Sequence, residues 1–288
     1  MQTVISKDGT AIAYDRVGSG PVVILVAGAL GYRKFKKTER LASLLAESCT
    51  VVNYDRRGRG DSTEAGPFAP EREVEDLAAL IEAVGGSASL WGWSSGGALA
   101  LSAAAAGIGV ERVSVYEVPF IVDPQATRPT PDYGERLDAL VAAGDRDGAV
   151  KHFMRNSIGI PAPFVAMMRL APMWKGLRAT ALTLPYDWAA LRKDRMYGAA
   201  LDPDEFAAIT MPVQVVSGSK SPDVLRDGSR ALAEVLPNSE LRELQGVSHN
   251  IKMEKLAPVL AEFIAGDPAR AGAGEAIDPE PAPAIQSG

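Results

Sequence analysis

The sequence predicts an α/β protein, a mostly parallel sheet with helices on both faces. Three observations predict it. The run Val22-Val23-Ile24-Leu25-Val26 is apolar without alternation, which marks a strand covered on both sides. Strand-like and helix-like segments succeed one another over much of the chain. The stretch Leu90-Trp91-Gly92-Trp93-Ser94-Ser95-Gly96-Gly97 reads as strand, tight turn and small-residue helix in direct succession.

In chain order, residues 3–6 and 11–17 are short strand runs split by Lys7-Asp8-Gly9-Thr10, and the Asp-Gly pair signals a hairpin. The turn Gly18-Ser19-Gly20-Pro21 leads into the run at 22–26, which ends in Ala27-Gly28-Ala29-Leu30-Gly31. A helix rich in Lys and Arg is expected over roughly 32–47, and a strand over 50–54 that runs into Asp55-Arg56-Arg57-Gly58-Arg59-Gly60-Asp61-Ser62. Residues 71–84 are helical by spacing, with Val74, Leu77, Leu80, Ile81 and Val84 on one side. Strands follow at 88–93 and 110–118, with a helix over 95–106 between them.

From 119 to 211 the rhythm breaks. Helices are expected at 133–143, 147–156, 163–170, 175–184 and 188–195, and six of the eight methionines fall in this stretch. It reads as a helical insertion over the sheet edge, a lid. The sheet resumes at 212–217, with a helix at 222–236, a strand at 240–244 and a last long helix at 252–264. The core is therefore expected over 1–118 and 212–265. From 266 to 288 the chain is Gly, Ala, Pro, Asp and Glu with little to bury, and disorder is expected.

Bulk properties narrow the function. Of 288 residues, 47% are hydrophobic, enough for a sizeable core, while a net charge of −6 argues against a nucleic-acid partner. One cysteine, Cys49, beside Val51-Val52, reads as a buried thiol and rules out an intramolecular disulfide. His152 and His249, the two histidines, are too few for a multi-histidine metal centre, so no metal is expected. No secretory signal and no run of membrane-spanning length is visible. A cytoplasmic protein with no membrane partner is expected; nothing in the sequence sets its oligomeric state.

The turn Gly92-Trp93-Ser94-Ser95-Gly96 fits G-x-S-x-G, in which small flanks let a non-glycine residue hold a strained conformation. Alone, it also fits a helix with Ser94 as its N-cap. Two further stretches, Tyr54-Asp55-Arg56-Arg57-Gly58-Arg59-Gly60-Asp61-Ser62 and Gly246-Val247-Ser248-His249 before the last helix, make the set specific. Over roughly 1–265 the chain resembles the α/β-hydrolase superfamily. The resemblance implies an eight-stranded sheet, a lid between strands six and seven, and a Ser–acid–His triad in that order.

On that resemblance Ser94 is the nucleophile and His249, in the loop after the last strand, its base; His152 reads as a surface or packing histidine. The family's usual acid follows strand seven, but here Ser221 stands at the expected position. Two replacements present themselves. Asp223 comes two residues later, where an aspartate after Pro222 also suits a helix start. Glu117 ends strand six, and a carboxylate among apolar residues at a strand end is costly without a partner. Neighbouring strands lie about 4.8 Å apart, within a glutamate's reach. Zearalenone-type lactone hydrolases carry a glutamate acid at this position, and the chain resembles them there, which favours Glu117.

The resemblance further implies an oxyanion hole of backbone amides, from Ser95 and from Ala29 or Gly28; the glycines at 28 and 31 also suit a plain turn. The charged turn at 55–62 reads as structural, with Asp55 and the arginines tying loops together. In the 119–211 stretch, Phe153, Met154, Met167, Trp174 and Trp188, with Leu30 and Trp93 from the core, are candidates to line a large apolar pocket; Phe164, Met168 and Met173 share that character. The expected activity is hydrolysis of an ester or lactone of a bulky apolar small molecule through an acyl-enzyme, without a cofactor. Haloperoxidase-like perhydrolysis, C–C bond hydrolysis, and ligand binding on an inactive scaffold remain open alternatives.

Overall fold

The computed structural model describes residues 1–191 and 193–266. Its strands are β1 (Gln2–Ile5), β2 (Ala11–Val17), β3 (Val22–Val26), β4 (Thr50–Tyr54), β5 (Ala88–Trp93), β6 (Val110–Tyr116), β7 (Val213–Gly218) and β8 (Ser239–Leu244). They form one eight-stranded sheet in the order β1-β2-β4-β3-β5-β6-β7-β8. β2 runs antiparallel to β1 and β4, and every pairing from β4 to β8 is parallel. The β1–β2 hairpin turns at Gly9, whose φ of 90° is open to glycine without strain.

The helices are α1 (Lys36–Leu45), α2 (Pro70–Ala83), α3 (Ser95–Ala105), α4 (Tyr133–Ala142), α5 (Arg146–Asn156), α6 (Ala162–Met168), α7 (Met173–Ala179), α8 (Leu184–Leu191), α9 (Asp223–Val235) and α10 (Met253–Ala265). Successive residues of a strand point to opposite faces, and β3 shows the result. Ile24 and Val26 pack with Leu77 of α2, Leu99 of α3 and Leu232 of α9. Val23 and Leu25 pack with Leu41 of α1 and Leu256 of α10 on the other face. Cys49 is buried with this second group. Helices α4 to α8 fall between β6 and β7 and enclose a third cluster around Tyr133, Leu137, Met154, Val165 and Trp174.

Among the boundaries that differ from the sequence expectation, three have a plain local cause. The helix expected from 32 begins only at Lys36, because the Phe35 amide closes a turn onto the Tyr32 carbonyl at 2.9 Å. The strand expected over 110–118 stops at Tyr116, because Glu117 turns to a φ of 48°. The helix expected from 188 begins at Leu184, with Pro185 inside its first turn, where a missing N–H costs nothing. The tail expected to be disordered lies, from 267 onward, outside the described residues.

The turn after β4 is a buried ion cluster. Arg56 grips Glu73 of α2 with two hydrogen bonds of 2.6 and 2.7 Å and donates to Asp187 of α8 at 2.5 Å. Arg59 donates to the other Asp187 oxygen at 2.6 Å and to the Gly28 and Gly31 carbonyls at 2.8 and 3.0 Å. Burial and the neighbouring Arg56 charge push the Arg59 guanidinium below its usual range, and Asp187 opposes that push. Arg57 pairs separately with Asp76 and Asp8. Asp55 accepts from the Arg33 amide at 2.6 Å and the Asp61 amide at 2.9 Å. The turn thus ties β4, α2, α8 and the loop after β3 together. Removing one partner of such a cluster strands the remaining charges. Asp187→Ala is expected to lower the unfolding free energy by about 3–5 kcal/mol, read as a shift in the urea midpoint.

Candidate active site

The strand β5 delivers Ser94 and the helix α3 leaves it. Ser94 sits at φ 56°, ψ −127°, a region that costs a non-glycine residue of order 1–3 kcal/mol and persists only when its surroundings enforce it. They do so by closeness. A Cβ on Gly96 would lie 2.2 Å from the Val26 carbonyl oxygen, and one on Gly92 would lie 2.4 Å from the Gly97 Cα. The Ser94 amide is anchored to the Tyr116 carbonyl at 2.9 Å, and its own carbonyl accepts from the Gly97 amide at 2.9 Å. Ser95 opens α3, so its amide has no partner within the helix.

The candidate acid favoured by the sequence, Glu117, follows the end of β6. Glu117 is fully buried. One carboxylate oxygen bonds His249 Nδ1 at 2.8 Å, and the other accepts from the Gly218 amide at 2.7 Å. Gly218 approaches so closely that a Cβ there would lie 2.5 Å from the Val247 carbonyl oxygen and 2.9 Å from the Tyr116 hydroxyl. The alternative acid, Asp223, does not reach the histidine: it is the first residue of α9, its side chain is 82% exposed, and it pairs with Arg226 at 2.6 Å. It stands in the first turn of α9, where an acidic side chain faces the positive end of the helix dipole. Ser221 is buried nearby.

His249 is held on several sides. The Tyr116 hydroxyl donates to the Ser248 carbonyl at 2.8 Å; burial and the Glu117 charge push its pKa up, so it keeps the proton it donates. Lys37 donates to the Ile251 carbonyl at 2.8 Å and to the Asn250 side chain. The imidazole lies against the rings of Trp93 and Tyr116, with centroids 6.0 and 6.3 Å away. A carboxylate at Nδ1 selects the tautomer protonated there, leaving Nε2 free to accept a proton. His152 is elsewhere, in α5, with Nε2 at 3.0 Å from the Tyr133 carbonyl and Nδ1 at 2.9 Å from Asn156.

Ser94, Ser95 and His249 share the wall of a cavity of about 390 Å³, together with Ala27, Gly28 and Ala29. The loop after β3 is shaped for this. Leu30 takes a φ of 61°, the Gly31 amide bonds the Gly28 carbonyl at 3.0 Å, and Arg59 holds the carbonyls of both glycines from behind. Gly28 approaches the elbow within the space a Cβ would need: its Cβ would sit 2.5 Å from the Trp93 carbonyl oxygen.

Of the expected pocket residues, Leu30, Trp93, Phe153, Met154 and Trp188 line this cavity. Met167 and Trp174 do not. Met167 points outward from α6 and is 62% exposed. Trp174 is packed inside the third cluster, its indole N–H donating to Asp147 at 2.6 Å. Sequence reasoning missed Phe35, Tyr133, Leu177, Leu184 and Asp187, all on the wall. For Asp187 a signal exists: one acid in the apolar run Leu184-Pro185-Tyr186-Asp187-Trp188-Ala189-Ala190-Leu191 needs a partner, and Arg56 and Arg59 are cations in need of one. Its carboxylate also accepts from the Ser95 hydroxyl at 2.9 Å. Pro222, Val224 and Leu225, from the start of α9, complete one side.

Known proteins share this architecture. Mouse serine hydrolase BPHL is 36% identical over 107 residues, 35% of this chain and 37% of that protein; the chain thus spans little more than a third of the curated relatives' length at the head of the comparison. An alpha/beta hydrolase from Sphaerobacter thermophilus superposes with a TM-score of 0.83 at 46% identity, over 91% of this chain and 99% of that one. The enol-lactonase from Burkholderia xenovorans shares the fold, with a TM-score of 0.61 at 20% identity over 91% of this chain and 100% of its own. The alpha/beta hydrolase family model matches residues 23–260. The chain belongs to the alpha/beta hydrolase family.

Proposed function

We propose that this protein is a serine hydrolase that cleaves a carboxylic ester or lactone of a bulky apolar molecule through an acyl-enzyme. The observation that carries this reading is the 2.8 Å bond from buried Glu117 to His249 Nδ1, on a histidine that shares a cavity wall with the strained Ser94. The bond gives the buried carboxylate a partner and leaves the far ring nitrogen of His249 available to a hydroxyl, which supports the catalytic reading. The relative BPHL carries the name serine hydrolase, which supports the same class.

In the proposed reaction the substrate carbonyl lies over Ser94. His249 Nε2 takes the hydroxyl proton as Oγ attacks, and Glu117 stabilises the imidazolium that forms. The oxyanion is bound by the amides of Ser95 and Ala29, each worth about 3 kcal/mol in the transition state. His249 then protonates the leaving alkoxide, which departs, or stays tethered if the substrate is a lactone. Water, deprotonated by His249, attacks the acyl group and releases the acid. The wall of Leu30, Phe35, Trp93, Phe153, Leu177 and Trp188 favours an apolar substrate, and its size suits a molecule larger than a simple acetate ester. The helices between β6 and β7 supply much of that wall and act as a lid over the site.

Two measurements test this. Ser94→Ala is expected to lower kcat on a panel of aryl esters and lactones by on the order of 10⁶-fold, and to abolish labelling by a fluorophosphonate probe. An unlabelled wild-type Ser94 would instead favour a ligand-binding protein on an inactive scaffold. Glu117→Gln is expected to lower kcat by roughly 10⁴-fold, because an amide no longer fixes the histidine tautomer, while Asp223→Asn leaves it unchanged. Collapse of turnover in a folded Asp223→Asn variant would overturn the acid assignment.

A further inference from the structure

Helix α6 has the sequence Ala-Pro-Phe-Val-Ala-Met-Met, with no polar side chain on any side. A helix apolar all round is normally covered all round. Only its inner side is covered here, where Val165 and Met168 pack in the third cluster beside Trp174 and Met154. Outside, Phe164 and Met167 are exposed, and so are Ile158 before the helix and Leu170 and Met173 after it. Leu170 is 88% exposed, the most extreme of any large apolar side chain among the described residues. Five exposed bulky apolar side chains thus follow one another within 16 residues of chain, in and around α6. Runs of this kind mark interaction surfaces.

The charge around them identifies the occupant. Between Asp147 and Asp187 the chain carries no carboxylate at all, yet it holds Lys151, Arg155, Arg169, Lys175 and Arg178, in a protein whose net charge is −6. Arg155, Arg169 and Lys175 are exposed, and none of the three forms an ion pair among the described residues. Arg178 pairs with Asp147 at 3.3 Å. A run of exposed apolar side chains interspersed with cations that outnumber the one carboxylate near them, Asp147, matches an anionic lipid surface, where the acyl region takes the apolar side chains and the headgroup phosphates take the guanidinium and ammonium groups. A second copy docked isologously through the same face would bring cation against cation.

We propose that residues 158–175 form a docking surface for an anionic lipid surface. The sequence-based expectation of no membrane partner rested on the lack of a spanning run, and no helix among the described residues is long and apolar enough to cross a membrane. A surface contact needs no such helix. Ile158 belongs both to this run and to the wall of the Ser94 cavity, so docking sets the cavity rim against the lipid. The proposal stands apart from the hydrolase reading, because it concerns binding and not turnover.

The test is co-sedimentation of the full-length protein with vesicles of equimolar phosphatidylglycerol and phosphatidylcholine, and with vesicles of phosphatidylcholine alone. Binding to the anionic vesicles is expected to exceed binding to the neutral ones by at least about tenfold and to fall in about 0.5 M salt. The double variant Phe164→Ser with Leu170→Ser, both on exposed positions, is expected to lose binding at least about tenfold. Arg155→Glu with Arg169→Glu is expected to erase the preference for anionic vesicles, and this pair decides the matter if the serine variant unfolds. No sedimentation with either vesicle, or equal sedimentation with both, overturns the proposal. So does self-association in sedimentation velocity that Leu170→Ser abolishes, since the face would then belong to a second copy.

Discussion

The arrangement around Ser94 depends on two consecutive residues, Tyr116 and Glu117, where β6 ends. The Tyr116 carbonyl holds the Ser94 amide, its hydroxyl holds the Ser248 carbonyl, and the Glu117 carboxylate holds the His249 ring. One peptide therefore sets the elbow, the histidine loop and the histidine orientation relative to one another. The cost is a left-handed glutamate with a buried charge. The strain is of order 1–3 kcal/mol. It is tolerated because the Glu117 amide remains in register with β7, bonded to the Val216 carbonyl at 3.1 Å, and because both carboxylate oxygens find donors. The central position of β6, between the elbow strand and β7, makes this possible.

A second constraint comes from the other side of the cavity. Asp187, on the cavity wall, joins Arg56 and Arg59 and accepts from the Ser95 hydroxyl. Arg59 in turn fixes the loop of Gly28 and Gly31. The two backbone segments proposed to bind the oxyanion are thus linked through one buried carboxylate on α8. Fixed donors of this kind need no rearrangement as charge develops.

Much of this was legible in the sequence, for physical reasons that differ by element. The unbroken apolar run of β3 announces a strand buried on both faces, and Gly92 and Gly96 announce the elbow because no Cβ fits there. Glu117 was legible as a carboxylate that an apolar strand end does not tolerate alone. The family resemblance already favoured Glu117 over Asp223; the fold adds that Asp223 faces water while the Gly218 amide and His249 converge on Glu117. Met167 and Trp174 were indistinguishable from pocket residues by type, because the same side chains serve an exposed face, a sealed cluster and a cavity wall. The early start of α8 was hidden by Pro185, which breaks a helix interior but not its first turn. Asp187 carried a signal, but its partners lie more than a hundred residues away in the chain.

With the histidine's carboxylate partner carried by β6, the segment between β7 and α9 is released from a duty that would otherwise freeze it. Ser221 needs only to be small and buried, and Pro222, Val224 and Leu225 face the cavity. The parts of the chain that orient the His249 ring and the parts that shape the chamber are thereby separated. Such a division of labour lets substitutions in this loop redraw the chamber's outline while the geometry around Ser94 and His249 stays put.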